Sequence, residues 1–200
     1  MKRMMALLAF GAVMAISGCG DSSSPSSPVT GNQSGKLIPL ALGNQWLYAT
    51  TLYDSTGAIT GTRTDTTKVN TDTLIQGEKW FFYNDDHATP TANRSDGLYY
   101  WDLASGTARI YIRIPGTVGD SYERGNLRYT LASTNTTVTV PAGVFSCYQL
   151  LVTDANNSKV ESTVSIAPGT GTVKIETRGK RGDGSVFVGF RSEMKSYSLK

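Results

Sequence analysis

Residues 136–152 read TTVTVPAGVFSCYQLLV and carry the clearest structural signal in the chain. Two runs rich in threonine, valine and aromatic side chains flank the short segment Pro141-Ala142-Gly143. β-branched and aromatic residues favour extended strands, whereas proline and glycine favour turns. This order of strand, turn and strand predicts a β-hairpin whose first strand is residues 136–140, and a separate strand is predicted before it at residues 127–132.

The same alternation of strand-like run and turn signal recurs along the rest of the chain, at intervals of roughly eight to twelve residues. No segment repeats apolar residues at helical spacing over a dozen positions. The sequence therefore predicts an all-β domain, an antiparallel meander of about ten to twelve strands. Because sheets of that size seldom stay flat, we expect a barrel-like or half-barrel sheet, with a β-sandwich as the alternative.

Two segments give more specific expectations. Arg109–Ile114 alternates strictly, which would place Ile110, Ile112 and Ile114 on one apolar face. The polar run from Asn84 to Gly97 has no such pattern, and we predict a loop there.

The segment from Pro39 to Trp46 shares its spacing with the segment from Pro115 to Tyr122. In each, a glycine follows the proline by four positions and an aromatic residue follows the glycine by three. Both segments are predicted to be turns that begin a strand.

The start of the chain has the layout of a signal peptide. The basic pair Lys2 and Arg3 precedes an uncharged apolar run over residues 4–16. This run is shorter than the roughly 18 residues that a helix needs to cross a bilayer, and no other stretch approaches that length. We expect residues 1–18 to be removed and no later segment to span a membrane.

The residues at the predicted cleavage site, Ile16-Ser17-Gly18-Cys19, resemble a bacterial lipobox. This resemblance implies a thioether-linked lipid on Cys19 and acylation of the new amino terminus, for example with palmitate. It places the protein in the bacterial cell envelope, held on a membrane by its lipid. Gly20 follows the cysteine in place of aspartate, which under the enterobacterial sorting pattern implies the outer rather than the inner membrane.

The predicted mature chain has two parts. Residues 19–36 contain a run of serine, proline, glycine and asparagine that cannot bury enough surface to fold, so we predict a flexible tether. Residues 37–200 form one domain. Without Lys2 and Arg3, the 19 basic residues become 17, against 16 acidic ones. This near-neutral charge excludes a nucleic-acid binder.

Three further patches carry a family resemblance. They are residues 39–48, residues 140–148 and residues 167–174, with the motifs Pro39-Leu40…Gly43-Asn44…Trp46…Tyr48, Val140-Pro141-Ala142-Gly143-Val144-Phe145…Cys147-Tyr148 and Ala167-Pro168-Gly169…Gly171…Val173-Lys174. They are similar to recurring signatures of uncharacterised β-rich envelope lipoproteins, which are distantly similar to the curved-sheet proteins that sort lipoproteins. The resemblance implies a β-rich fold and no particular activity.

Few residues are suited to catalysis or metal binding. His87 is the only histidine, and it follows Asp85 and Asp86 in the predicted loop. Cys147 is the only cysteine besides Cys19, so a lipidated chain can form no internal disulfide, and its strand context predicts a small buried apolar side chain. We therefore expect no catalytic residue, no metal site and no cofactor. Calcium binding through Asn84, Asp85 and Asp86 is the alternative, although the calcium-loop spacing is missing.

Aromatic side chains are the remaining candidates for a binding site. They could line a site for a sugar or a lipid, or they could pack in the core and across strands, and the set comprises Trp46, Tyr48, Trp80, Phe82, Tyr99 and Trp101. Two functions remain open. One is a non-enzymatic binding or assembly module for an envelope protein, glycan or lipid; the other is a hydrolase-like enzyme that uses the loop Asp85-Asp86-His87.

Overall fold

The computed structural model describes residues 36–84, 89–156 and 160–200. They form one antiparallel sheet of 12 strands. The strands are β1 Gln45–Tyr53, β2 Ile59–Ile75, β3 Glu78–Tyr83, β4 Thr91–Arg94, β5 Gly97–Asp102, β6 Thr107–Arg113, β7 Ser121–Arg124, β8 Leu127–Val140, β9 Gly143–Asp154, β10 Val160–Ala167, β11 Gly171–Lys180 and β12 Val186–Ser198.

The sheet is shaped like a nearly closed barrel. Its strand order is β6-β5-β4-β3-β2-β1-β12-β11-β10-β9-β8-β7, so every neighbouring pair is consecutive in the chain except β1 and β12. The described residues contain no helix. The predicted all-β, barrel-like meander is confirmed, including the number of strands, and the sandwich alternative does not form.

Both segments of shared spacing are turns that begin a strand, as predicted, and the turns before β1 and β7 are also built alike. The Gly43 amide donates to the Val69 carbonyl and the Gly119 amide donates to the Leu131 carbonyl, both at 2.8 Å. The return bonds are also equivalent, Val69 N to Asn44 O at 2.8 Å and Leu131 N to Asp120 O at 2.9 Å. Both glycines have positive φ angles, 87° and 98°. The first turn thus holds the start of β1 against β2, and the second holds the start of β7 against β8.

The core is built from apolar side chains of most strands. Its largest fully buried members include Trp46, Phe145, Leu98, Leu150, Ile166 and Met194. The predicted hairpin of residues 136–152 is confirmed as the end of β8 and most of β9. Its tip reaches β12, where the Ala142 amide donates to the Met194 carbonyl at 3.0 Å. Cys147 is buried in this core, as predicted.

The structure corrects three local predictions. Thr91–Arg94 forms the short strand β4 inside the segment that was predicted to be a loop. The two strands predicted at 127–132 and 136–140 are one strand, β8, with register shifts between them. Ile112 and Ile114 lie in the core cluster but Ile110 does not. A register shift pairs Leu98 with Ile112 and Tyr99 with Ile110, and such a bulge reverses which face a side chain occupies.

The predicted signal peptide, tether and lipidated Cys19 lie outside the described residues, as do Asp85, Asp86 and His87. In the ranges 36–84, 89–156 and 160–200, no helix is long and apolar enough to cross a membrane.

Candidate functional site

A cavity of about 470 Å³ lies among seven strands, on the side of the sheet that carries the core. Its walls come from β1, β2, β3, β5, β6, β11 and β12. The lining residues are Ile38, Trp46, Tyr48, Thr50, Arg63, Asp65, Thr67, Tyr83, Asn84, Leu98, Tyr111, Ile112, Thr172, Ile175, Phe190 and Ser192.

One end of the cavity is apolar and fully buried. We call it the apolar end, and it consists of Ile38, Trp46, Leu98 and Ile112. The indole of Trp46 is held by a bond from Nε1 to the Thr170 carbonyl, at 2.6 Å. Trp46 carries the one polar side-chain group among these four residues, and that group has a partner, so their side chains present apolar surface.

The other end is polar, and we call Thr50, Arg63, Asp65 and Ser192 the polar end. The three strands β2, β1 and β12 bring them together, because Thr50 pairs with Arg63 on one side and with Ser192 on the other. The Thr50 hydroxyl lies 2.8 Å from Asp65 Oδ2 and 3.2 Å from Ser192 Oγ. Arg63 donates from Nε to the same Oδ2 at 2.9 Å.

These contacts stabilise the ionised form of Asp65. The hydrogen bond from Thr50 lowers the pKa of the carboxyl most, and the bond and charge of Arg63 lower it further. Arg63 and Asp65 are both partly exposed, while Thr50 is buried. The polar end therefore holds one opposite-charge pair at the water-accessible side of the cavity.

Two tyrosines line the cavity near Trp46. The Tyr48 hydroxyl donates to the Thr172 carbonyl at 2.9 Å. The Tyr83 ring lies 6.3 Å from the Trp46 ring, and its buried hydroxyl lies near the Thr91 side chain without a hydrogen bond of normal geometry to any described residue. Burial raises the pKa of both phenols, so both stay neutral at physiological pH.

Tyr111 connects the cavity to the gap between the edge strands β6 and β7, which we call the seam. Tyr111 lines the cavity, and its carbonyl accepts from the Tyr122 hydroxyl at 3.2 Å. The Arg124 guanidinium lies 4.3 Å from the centre of the Tyr111 ring. Side-chain contacts thus connect β6 to β7 at the seam, whereas backbone hydrogen bonds connect all the neighbouring strands of the sheet.

The structure divides the predicted aromatic set. Trp46 and Tyr48 line the cavity. Trp80 and Trp101 instead pack edge to face at 5.5 Å, and Arg94 lies 4.5 Å from the Tyr99 ring. With Phe82, these residues are not among those that line the cavity. For Trp80, Trp101 and Tyr99 the packing interpretation is therefore confirmed.

The described residues offer little other chemistry. Burial raises the pKa of the Cys147 thiol to about 12, so this thiol is not a nucleophile at neutral pH. Across residues 36–84, 89–156 and 160–200, no group of three or more histidine, cysteine or acidic side chains could hold a metal ion. Cys19, Asp85, Asp86 and His87 lie outside those residues, so their predicted roles stay predictions.

Sequence reasoning missed the polar end of the cavity. The alternation of β2 could have placed Arg63 and Asp65 on one face, because they are two positions apart in an extended strand. The sequence could not have predicted that Ser192 joins them, because Ser192 lies 142 positions from Thr50 in the chain.

No family model and no curated protein matches this sequence. Among solved structures, the chain is similar to a presumed lipoprotein from Parabacteroides distasonis, with 11% identity and a TM-score of 0.42 over 82% of this chain and 99% of the other. It is also similar to a presumed outer-membrane lipoprotein-sorting protein domain from Vibrio parahaemolyticus, with 8% identity and a TM-score of 0.23 over 80% of this chain and 86% of the other. At these values, function has to be inferred from the cavity itself.

Proposed function

We propose that this protein is a lipid-anchored lipoprotein of the bacterial envelope whose domain binds a small ligand without transforming it. The observation that carries the proposal is the cavity. Its volume of about 470 Å³ falls within the range of roughly 300–1,000 Å³ that is usual for small-molecule sites. Such sites are mostly apolar with a few placed polar groups, which is the arrangement of the two ends described above.

The ligand of this proposal is a lipid or a glycan unit of the envelope. A concave site favours a small molecule over a flat protein surface. The anchor would be the lipid on Cys19, with residues 19–36 as the tether and the outer membrane as the more favoured location. Several acyl chains hold a protein on a membrane almost permanently, since each buried methylene contributes about 0.8 kcal/mol.

Filling the cavity tests the binding proposal. Thr67 lines the cavity, whereas Thr64 on the same strand is exposed and does not. Thr67→Trp should weaken binding of the apolar dye N-phenylnaphthylamine at least about tenfold, because the indole would occupy the volume that the dye needs. Thr64→Trp is the matched control and should bind like the wild type. Unchanged dye binding in Thr67→Trp would refute the proposal.

The anchor is tested separately. Wild-type protein expressed in bacteria should incorporate labelled palmitate and partition into the detergent phase, and Cys19→Ser should do neither. A Cys19→Ser protein that still incorporates the label would exclude this anchor.

One observation keeps the hydrolase as a second candidate. Asn84 lines the cavity, and the next three residues in the chain are Asp85, Asp86 and His87. A histidine with a carboxylate can act as a general base.

A further inference from the structure

The polar end of the cavity is electrically neutral before any ligand enters. Arg63 and Asp65 share a hydrogen bond of 2.9 Å, and their charges offset each other. A ligand with a carboxylate or phosphate head would pair with Arg63 only by lying beside the Asp65 carboxylate. A ligand with an ammonium head would pair with Asp65 only by lying beside the positively charged Arg63. In both cases one like-charge contact cancels much of the attraction.

The same pair keeps hydrogen-bonding capacity for an uncharged ligand. Both hydrogen bonds to Asp65, from Thr50 and Arg63, end on Oδ2, and no bond to Oδ1 is seen among the described residues. Arg63 uses Nε for this pair, and its guanidinium carries four further N–H donors on the two η nitrogens. The site therefore presents an acceptor and several donors side by side.

A hydroxyl group both donates and accepts, so two neighbouring hydroxyls match this arrangement. One hydroxyl can donate to Asp65 Oδ1 while the other accepts from Arg63, and neither charge loses its partner. An apolar body attached to these hydroxyls would extend past Tyr48 toward Trp46 and Leu98, which also line the cavity.

We infer that the cavity selects a molecule with an uncharged, hydroxyl-bearing polar end and an apolar body, the polar end lying against Arg63 and Asp65. This inference rests on the proposed function and adds the chemistry of the ligand. A monoacylglycerol-like molecule fits this chemistry, and ionised amphiphiles with the same apolar body fit it less well.

A series of probes with one apolar body and three polar ends tests the inference. The probes are 1-lauroylglycerol, laurate and dodecylammonium. Each is titrated at pH 7, below its micelle concentration, into the full 200-residue chain made by membrane-free translation, so that no lipid is attached. Calorimetry gives the three affinities. We expect 1-lauroylglycerol to bind at least about tenfold more tightly than either charged probe.

Substitutions in the Arg63–Asp65 pair should then change the order of the three probe affinities. Asp65→Asn leaves Arg63 uncompensated and should raise the affinity for laurate, whereas Arg63→Gln should raise the affinity for dodecylammonium. The matched controls are Arg109→Gln and Asp102→Asn, an ion pair of similar exposure at 2.8 Å that does not line the cavity. Both controls should keep the wild-type order.

The outcomes separate the inference from the proposed function. If all three probes bind the wild type equally, or if laurate binds most tightly, the inference is wrong while the cavity still binds ligands. If none of the probes binds, both the inference and the proposed function fail. The wild-type series decides the matter even if a variant does not fold.

Discussion

At the scale of single residues, Gly97 leaves almost no room for a side chain. It begins β5 with a φ angle of 152°, and a Cβ at this position would lie 2.1 Å from the Ile112 carbonyl oxygen. Gly97→Ala should therefore lose about 3 kcal/mol or more in the free energy of unfolding, because the β5–β6 pairing must separate. Urea denaturation measures this loss.

Gly77 supplies the control for that prediction. It also has a positive φ angle, 81°, but a Cβ there would meet nothing within 4 Å. Gly77→Ala should lose only the backbone strain, about 1–2 kcal/mol. Equal losses in the two variants would show that the close approach to Ile112 has no energetic importance.

Glu176 should make stability depend on pH. It accepts from Lys174 at 2.8 Å and from Arg191 at 2.9 Å. Partial burial acts to raise the pKa of Glu176, but these two cations outweigh it and the net pKa is lowered. A carboxyl with a lowered folded pKa stabilises the protein above its unfolded pKa, and this contribution is lost as the pH falls through the folded value.

The variant Glu176→Gln tests this dependence. At pH 7 it should be less stable than the wild type by about 1 kcal/mol, as for a partly exposed ion-pair network. As the pH falls below the ordinary range for glutamate the difference should shrink, because the unfolded chain binds a proton first and the folded carboxyl follows only at its lowered pKa. A difference that is the same at pH 7 and pH 3 would contradict this account.

At the level of residues, the sequence was most informative about burial and least about partners. Cys147 could be predicted to be buried because its strand neighbours are apolar. Arg63 and Asp65 could be assigned only to a polar strand face, since the cavity exists only when β12 pairs with β1. A contact across 142 positions leaves no local pattern in the sequence.

Among the structural elements, the seam between β6 and β7 is held in part by Arg124. The Arg124 guanidinium lies over the Tyr111 ring across the seam and donates to the Tyr129 hydroxyl at 2.6 Å. Arg124→Ala should therefore lose about 1–2 kcal/mol. The control is Arg128→Ala, which removes only an exposed pair with Glu123 and should lose less than about 0.5 kcal/mol. Thermal unfolding of both variants measures the difference in stability. Similar losses of stability would show that the Arg124 contacts do not stabilise the seam.

The segment Asp85-Asp86-His87, which is predicted to be a loop, decides between a binding module and an enzyme. For a loop without a site, the double variant Asp86→Ala and His87→Ala should change stability by less than about 0.5 kcal/mol. Addition of calcium, zinc or a chelator should then leave the melting temperature of the wild type unchanged. If a metal raises the wild-type melting temperature by several degrees and the double variant loses that shift, the loop is a metal site and the hydrolase candidate gains.

Element type was more predictable than element boundaries. The strands with clear apolar or aromatic runs, such as β1 and β9, lie where the sequence placed them. The four residues of β4 carry no alternating apolar pattern, so the strand is visible only through its pairing with β5. The bulges in β6 and β8 depend on the partner strand, and the sequence of one strand does not reveal them.

For the whole molecule, strand number predicted the curl of the sheet, because a flat sheet of this size is unfavourable. The sequence did not reveal the pairing of β1 with β12, which joins the two ends of the described domain and turns two consecutive meanders into one sheet. This pairing also places β6 and β7 at the two free edges. The molecule is therefore held by backbone ladders everywhere except at the seam.

This asymmetry predicts where the molecule opens first. Amide hydrogen exchange reports local opening, and strands with fewer backbone partners open at lower free energy. The amides of β6 and β7 should exchange through local opening, whereas those of β1 and β12, which each pair on both sides, should exchange only with global unfolding. Arg124→Ala should accelerate exchange in β6 and β7 more than in β1, because it removes a contact across the seam. If all four strands exchange at the same free energy, the barrel opens as a unit and the seam is not its weakest line.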